Sequence, residues 1–242
     1  LHGAVCKGSM QILLVAEGSE ESRLKQALAG VWSDTATQAA HKDFTLAPVR
    51  ENVREAWLTS TQVNFCALAF PSVDSGHPDA AALTVLSGFL RNGFLHRAIR
   101  EQGGAYGGGA SQDSGAAAFR FYSYRDPRLS ETLDDYRRSI DWMLKEDHEY
   151  AQLEEAILGV ISSLDKPASP AGSAKQAFHN ELFGRNKAER ALFRQRVLQV
   201  SIEELKAVTE RYLCTDDASI AVVSNKSQQS ALEQLGLNLR TL

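Results

Sequence analysis

The sequence contains no excess of positive charge and no long apolar stretch. Its 242 residues include 26 Lys and Arg against 30 Asp and Glu, so the formal net charge is -4. Proteins that bind nucleic acid or membrane surfaces use a basic face to neutralise phosphates. No stretch approaches the roughly 20 apolar residues needed to cross a bilayer. We therefore expect neither nucleic acid nor a membrane among the partners.

Cysteine is also scarce, with only Cys6, Cys66 and Cys214 in the chain. Three widely separated cysteines do not form a disulfide framework and are typical of reduced thiols. This favours a cytoplasmic or organellar-matrix location. The first residue is Leu1 and not Met, so we expect a piece of a longer protein, whose targeting segment would lie upstream of this sequence.

No zinc-binding motif is present. A helical zinc site uses H-E-x-x-H or H-x-x-E-H, and neither occurs among the six histidines His2, His41, His77, His96, His148 and His179. His2 with Cys6 and Asp74 with His77 have the spacing of ligand pairs. One pair lies at a terminus and the other in a turn before Pro78, so we expect both to be solvated. The chain alone is predicted to hold no metal.

The hydrophobic periodicity predicts an α+β fold. Strands are predicted at 11–16, 61–70, 105–112, 116–124 and 219–223. Helices are predicted from Pro78 to about Asn92-Gly93 and at 94–101, 174–183, 187–198 and 201–213, with two further helices from Leu129 and Leu153 onward. The segment 32–60 is predicted to be irregular. We expect a mainly antiparallel sheet covered on one face by several helices, in one domain over residues 1–242 with a linker remnant at 1–10.

The glycine run 103–109 is the most unusual segment of the sequence. Nucleotide-binding loops run from a strand through glycines into a helix, whereas here a helix precedes the glycines and a strand follows. A nucleotide-binding module is therefore the least favoured function. A tight turn explains Gly103-Gly104 but not the glycines in the following strand. Glycine in a strand often marks the close approach of another backbone, and a peptide pairing with the strand would supply one.

Arg100 and Tyr106 flank this run. Both side chains are hydrogen-bond donors able to reach a carbonyl oxygen, and arginine stays protonated. Such donors hold a scissile peptide and stabilise a developing oxyanion. Gly107 and Gly108 are expected to make room for that peptide. Tyr124, Arg125 and Asp126 are expected to fix the turn between a strand and the next helix.

These residues carry a family resemblance. The run from Arg100 to Gly107, Arg-x-x-Gly-Gly-Ala-Tyr-Gly, resembles the C-terminal-half motif of insulinase-type (pitrilysin-family) zinc metallopeptidases. The six-residue step from Arg100 to Tyr106, and the downstream run 123–127, Ser-Tyr-Arg-Asp-Pro, are closest to the presequence protease and falcilysin branch. The resemblance implies a processing-peptidase-like half-domain that closes over zinc bound by H-x-x-E-H in an N-terminal half, outside this chain. Arg100 and Tyr106 would then contact the bound peptide.

The leading hypothesis is thus a substrate-binding, chamber-forming C-terminal portion of a zinc endopeptidase that degrades short unfolded peptides. Its partners would be the N-terminal catalytic half and the peptide, and no residue of this chain is expected to be catalytic by itself. The alternative is a non-catalytic scaffold or interaction subunit of the same fold. An H-x-x-E-H motif upstream on the same polypeptide or in a neighbouring gene would distinguish the two.

Overall fold

A computed structural model describes residues 11–32 and 51–241. The chain consists of two compact units. The first unit comprises residues 1–49 and 167–186, and its described part contains helices α1 (Glu21–Trp32) and α5 (Pro170–Leu182). The second comprises residues 50–166 and 187–242 and contains the sheet. The assignment of residues 1–242 to one domain stays a prediction, and the proposed linker 1–10 lies outside the described residues.

The second unit contains pairs of consecutive strands separated by runs of helices. Its strands are β1 (Arg54–Thr59), β2 (Asn64–Pro71), β3 (Gly107–Asp113), β4 (Ala118–Asp126), β5 (Ser219–Asn225) and β6 (Asn238–Thr241). Its helices are α2 (Ala80–Leu90), a π-helical segment (Arg91–Gln102), α3 (Ser130–Lys145), α4 (Tyr150–Leu164), α6 (Lys187–Gln199), α7 (Ile202–Leu213) and α8 (Gln229–Gln234).

The six strands form one mixed sheet in the order β3-β4-β2-β5-β1-β6. The three pairings from β3 to β5 are antiparallel, and β1 pairs in parallel with both β5 and β6. The predicted α+β class with a mainly antiparallel sheet is confirmed, with a parallel portion at one side.

One face of the sheet lies under helices and forms the core. The side chains that alternate inward along the strands are buried: Ala56, Leu58, Cys66, Leu68, Phe70, Phe119, Phe121, Ile220 and Val222. Helix α2 packs on β3, and α3 and α7 pack on β2. The opposite face carries Glu55, Trp57, Phe65, Ala67, Arg120, Tyr122, Tyr124, Ala221 and Val223, all half-buried or exposed. We call this second surface the open face.

Helix α2 runs directly into the π-helical segment, so the predicted helix end at Asn92-Gly93 is wrong. Gly93 lies against the indole of Trp142, where a Cβ atom would overlap the ring. This glycine therefore permits close helix packing and does not end the helix. The predicted end at Gly103-Gly104 is confirmed, and Gly104 has the positive φ, 77°, that favours glycine.

Three other local predictions are wrong. Residues 11–16 form no strand and are mostly exposed, because no described strand pairs with them. Strand β1 lies in the segment predicted to be irregular, of which 33–50 is outside the described residues. Helix α2 begins at Ala80, since Pro78 belongs to the preceding turn.

The other predicted elements are confirmed with small shifts of their ends. The hairpin of β3 and β4 forms in full register. Helix α5 begins at Pro170, earlier than predicted, because the Ser169 hydroxyl accepts a hydrogen bond from Gly172 N (3.1 Å). Helix α7 begins with the predicted capping box, in which Ser201 and Glu204 exchange two hydrogen bonds.

Candidate functional site

A single short turn joins the π-helical segment to β3 and carries Arg100 and Tyr106 at its two ends. The carbonyl oxygen of Ile99 accepts a hydrogen bond from Ala105 N, and that of Arg100 accepts one from Gly104 N, both 3.1 Å long. These bonds satisfy helix-end carbonyls that would otherwise lack partners. The turn thus fixes the start of β3 relative to the last turn of the helix.

Arg100 is exposed and forms no ion pair with any described carboxylate. Its Nη1 atom lies 3.4 Å from Nε2 of His96, whose Nδ1 atom lies 3.3 Å from Oε1 of Glu101. An imidazole does not neutralise the guanidinium. Arg100 therefore keeps its positive charge and most of its N–H donors available for another molecule.

Tyr106 is 65% exposed although it is aromatic. Its backbone N–H donates to the carbonyl oxygen of Arg125 (3.3 Å), and its ring lies 5.7 Å from the ring of Tyr124, centroid to centroid. The guanidinium of Arg125 lies over the Tyr106 ring. These contacts hold the ring, while its hydroxyl makes no hydrogen bond within the described part of the chain.

A β-bulge explains how Arg125 reaches Tyr106. Asn64 of β2 pairs with Asp126, whereas Cys66 pairs with Ser123, so Phe65 stands opposite two residues of β4, Tyr124 and Arg125. Arg125 has a positive φ of 49°, which costs a non-glycine residue about 1–2 kcal/mol. Bulges redirect side chains and occur often beside functional sites. From the sequence, Arg125 is expected only to fix the local turn, because the bulge has no signature in the alternation of β4.

The glycines of β3 are packed against side chains of this chain. A Cβ atom at Gly107 would overlap the Tyr124 hydroxyl, and one at Gly108 would lie 2.8 Å from Cγ2 of Ile99 and 2.9 Å from the Tyr122 carbonyl oxygen. Both distances are shorter than ordinary van der Waals contacts. The missing side chains therefore let the helix and the Tyr124 ring come close to β3. The contact of Gly107 and Gly108 with a peptide stays a prediction.

An ion pair beneath the turn supports it. Nη2 of Arg128 donates to the carbonyl oxygen of Ala98 (3.1 Å) and to Oδ2 of Asp135 (3.0 Å), and the Asp135 side chain is buried. Gly103 lies directly against the Arg128 guanidinium. Arg128 thereby ties helix α3 to the helical turn that carries Arg100.

Asp126 fixes the turn between β4 and α3, as the sequence predicted. Its Oδ1 atom accepts a hydrogen bond from Arg128 N (2.9 Å), and its Oδ2 atom accepts one from the Thr132 hydroxyl (2.8 Å). The carboxylate is fully buried. It therefore serves local structure and does not reach the surface that Arg100 and Tyr106 share.

The described residues do not fit a zinc centre. Within residues 11–32 and 51–241, no group of three His, Cys, Asp or Glu side chains is placed to hold a metal ion. Asp74 and His77 bond to backbone instead: Asp74 Oδ1 accepts from Gly76 N and His77 Nδ1 from Asp79 N. His2, Cys6 and His41 lie outside the described residues. No described helix is both long and apolar enough to cross a membrane.

Comparison with known proteins identifies relatives of this sequence. The family model described as the PreP C-terminal domain matches residues 54–226. The mitochondrial presequence protease of Yarrowia lipolytica is 38% identical over 152 residues, which are 63% of this chain and 15% of that protein. The Xenopus laevis protein of the same name is 33% identical over 199 residues, 81% of this chain and 19% of that protein. The chain thus corresponds to less than a fifth of these relatives.

Solved structures share its fold. The peptidase M16 inactive domain from Pseudomonas fluorescens aligns with a TM-score of 0.63 and 18% identity, over 85% of this chain and 51% of that one. Pitrilysin aligns with a TM-score of 0.63 and 11% identity, over 92% of this chain and 25% of that one. Since the PreP C-terminal domain model also matches most of the sequence, the chain belongs to that family, the C-terminal domain of presequence-protease-type M16 peptidases.

Proposed function

We propose that this chain is the substrate-binding, chamber-forming C-terminal portion of a zinc-dependent endopeptidase that acts on short unfolded peptides. The observation that carries the proposal is the pair formed by Arg100 and Tyr106, two exposed donors at the ends of one rigid turn. The zinc and the residues that activate water would belong to an N-terminal half, which is the proposed partner. Family membership supports this division of the enzyme.

The chemistry of the pair suits a peptide carbonyl. The guanidinium of Arg100 is charged at any physiological pH and directs several N–H groups at an acceptor. The phenol of Tyr106 donates one further hydrogen bond. A carbonyl oxygen gains negative charge as it becomes tetrahedral, so donors aimed at it stabilise the transition state more than the substrate. The chain supplies binding and charge stabilisation, and we expect it to be inactive alone.

Strand β3 offers the peptide a place to bind. It lies at one edge of the sheet and pairs only with β4 in the described structure. Extended peptides add to such edges through main-chain hydrogen bonds. In this arrangement Gly107 and Gly108 lie beside the peptide, immediately after Tyr106.

We also propose that the protein works in an organellar matrix. The relatives from Yarrowia lipolytica and Saccharomyces cerevisiae are both named as mitochondrial. A reduced compartment also suits the buried free thiol of Cys66. Fractionation of cells that carry the tagged full-length protein would locate it directly.

The test uses the full-length protein that contains this chain, assayed with a fluorogenic peptide of about ten residues. Tyr106→Phe should lower kcat/KM about 10²-fold, because it removes one donor to the oxyanion. Arg100→Lys should also lower kcat/KM, since a lysine keeps the charge but lacks the planar donor fork. Tyr150→Phe is the matched control, because Tyr150 is 70% exposed at the start of α4, and we expect no change.

Three outcomes would contradict the proposal. An unchanged kcat/KM for Tyr106→Phe would remove the role of the phenol. Zinc-dependent cleavage by the 242-residue chain alone would contradict the division of labour between halves. Absence of peptidase activity from the full-length protein would favour the non-catalytic scaffold.

A further inference from the structure

The open face of the sheet carries a row of large apolar side chains that begins beside Tyr106. Tyr124 lies on β4, and Phe65 stands opposite it across the bulge. Phe65 is in register with Val223, and Val223 is in register with Trp57. Residues in register on neighbouring strands project from the same face. We call Tyr124, Phe65, Val223 and Trp57 the aromatic row.

The row crosses four adjacent strands, β4, β2, β5 and β1. Neighbouring strands are about 4.8 Å apart, so the row is about 14 Å long. Beside its middle lie the smaller side chains of Ala67 and Ala221, which pair with each other and are flanked by Tyr122 and Glu55 on the outer strands. An extended peptide rises about 3.4 Å per residue, so the row matches about four residues.

The large apolar side chains of this row are unusual on an exposed face of a sheet. Phe65 and Tyr124 are each 39% exposed, and Val223 and Trp57 are half-buried. The solvated face of an antiparallel sheet normally carries polar side chains. Contiguous exposed apolar side chains mark interaction sites in soluble proteins. The row therefore has the character of a surface that another molecule covers.

The charges around the row favour an uncharged occupant. At its far end, Arg240 lies over the Trp57 ring and pairs with Glu55 (2.8 Å). On the β3 side of the face, Arg120 pairs with Asp113 (3.1 Å). These two pairs neutralise each other, whereas Arg125 at the Tyr124 end lies over the Tyr106 ring and forms no ion pair among the described residues. A charged peptide side chain placed over Val223 or Trp57 would lose hydration without gaining an unpaired partner.

We propose that the aromatic row binds an extended, uncharged segment of the substrate peptide that bears aromatic or branched apolar side chains. This rests on the proposed function, since the occupant is the same peptide that Arg100 and Tyr106 hold. The two surfaces are continuous, because the ring of Tyr124 contacts that of Tyr106. The row gives the site a preference for apolar sequence over about four residues on one side of the Arg100–Tyr106 turn.

The experiment measures equilibrium binding by fluorescence anisotropy, with the full-length protein in the presence of a zinc chelator so that no cleavage occurs. Two labelled peptides of equal length and net charge are compared. One has a Phe- and Leu-containing segment, and the other has Ser and Gln at those positions. The apolar peptide should bind about tenfold more tightly, and Phe65→Thr should remove most of that difference. Leu158→Thr is the matched control, because Leu158 is exposed on α4 and outside the open face.

Val223→Thr provides a second variant that preserves shape and strand preference, in case Phe65→Thr does not fold. The proposal would be overturned if the unmodified protein bound both peptides equally well. It would also be overturned if Phe65→Thr and Val223→Thr both kept the preference for the apolar peptide. If Tyr106→Phe still impairs cleavage in that case, the proposed function stands while the aromatic row does not contribute. If the unmodified protein cleaves no peptide but binds the apolar one through Phe65 and Val223, the row is supported and the proposed function fails.

Discussion

The guanidinium of Arg125 lies over the ring of Tyr106, with 5.5 Å between Cζ and the ring centroid. The same residue accepts the Tyr106 backbone hydrogen bond and has a positive φ. A strained residue is kept where its neighbours require that conformation, and such residues cluster at functional sites. We therefore expect Arg125 to act as a positioning residue for the phenol.

If the proposed function holds, we expect Arg125→Ala to lower kcat/KM of the full-length protein about two- to fivefold. The reason is the loss of a cation–π contact, which contributes about 0.5–1 kcal/mol at an exposed site. Arg125→Lys should recover part of the loss, because lysine keeps a cation near the ring. Ala117→Gly is the control, since Ala117 has the same φ of 49° at the far end of the hairpin. Ala117→Gly should leave kcat/KM unchanged. If it lowered kcat/KM, the loss caused by Arg125→Ala would be explained by a change in the whole hairpin and not by the contact with Tyr106.

Asp135→Ala should lower the free energy of unfolding by about 3 kcal/mol, because it leaves the Arg128 guanidinium without its carboxylate. Its sequence neighbour Asp134 supplies a matched control. Asp134 pairs with Arg137 at 3.7 Å and both side chains are exposed, so Asp134→Ala should change stability by less than about 0.5 kcal/mol. Urea unfolding of the unmodified protein and of the two single variants measures both effects. Equal losses in the two single variants would contradict the supporting role of Arg128.

Two glycine substitutions should change the free energy of unfolding in opposite directions. Gly108→Ala should destabilise the fold by about 1–3 kcal/mol, because the new methyl group meets Ile99 and the Tyr122 carbonyl oxygen. Gly159→Ala should stabilise it by about 0.5–1 kcal/mol, because Gly159 lies inside α4 with nothing within 4 Å of an added Cβ atom. Thermal unfolding of both variants suffices, and a stabilising Gly108→Ala would show that the helix and β3 are less closely packed than described.

Stability should fall at alkaline pH through Cys66. Burial, and to a lesser extent the charge of nearby Asp126, raises the pKa of the Cys66 thiol to about 12, against the opposing effect of the Ser123 hydroxyl. The unfolded chain loses this proton near pH 8.5. Above that pH the native state binds more protons than the unfolded state, so the unfolding free energy decreases as pH rises.

Between pH 8 and pH 10 this loss should be about 2 kcal/mol greater in the unmodified protein than in Cys66→Ala, at about 1.4 kcal/mol per pH unit. Burial also raises the pKa of Tyr136, but an unfolded tyrosine titrates near pH 10. The comparison below pH 10 therefore reports mainly on the thiol. Parallel pH curves for the two proteins would show that Cys66 is more accessible to water than its position indicates.

The sequence predicted the elements whose periodicity is strong and local. The hairpin is recognisable because Phe119 and Phe121 alternate with polar residues, and the start of α7 because Ser201 and Glu204 have capping-box spacing. Strand β1 was missed because its buried face contains only Ala56 and Leu58 beside charged neighbours. Its stability comes from pairing with β5, about 165 residues away along the chain. Local sequence patterns do not indicate a partner strand at that distance.

Part of the candidate site could likewise be predicted from local sequence, and part could not. Arg100 and Tyr106 stand out because they flank a dense glycine run. The positions of Arg125 and of the aromatic row depend instead on strand register. The bulge opposite Phe65 redirects the Arg125 side chain, and the strand order places Trp57 beside Val223. The sequence shows that Tyr122 and Tyr124 alternate with Phe121 and Ser123, but only the structure shows that the two tyrosines lie on the half-buried or exposed face of the sheet.

The close packing of Ile99 on Gly108, together with the bond from Arg128 to Ala98, locks the end of the π-helical segment to β3 and to α3. Arg100 and Tyr106 consequently move as one body. Under the proposed function, a closing motion of this domain would deliver both donors to the peptide at once, without a separate ordering step for either. Loss of the Ile99–Gly108 packing or of the Arg128–Ala98 hydrogen bond would thus slow simultaneous binding of the peptide by both side chains. This would hold even if each side chain alone kept its affinity for a carbonyl oxygen.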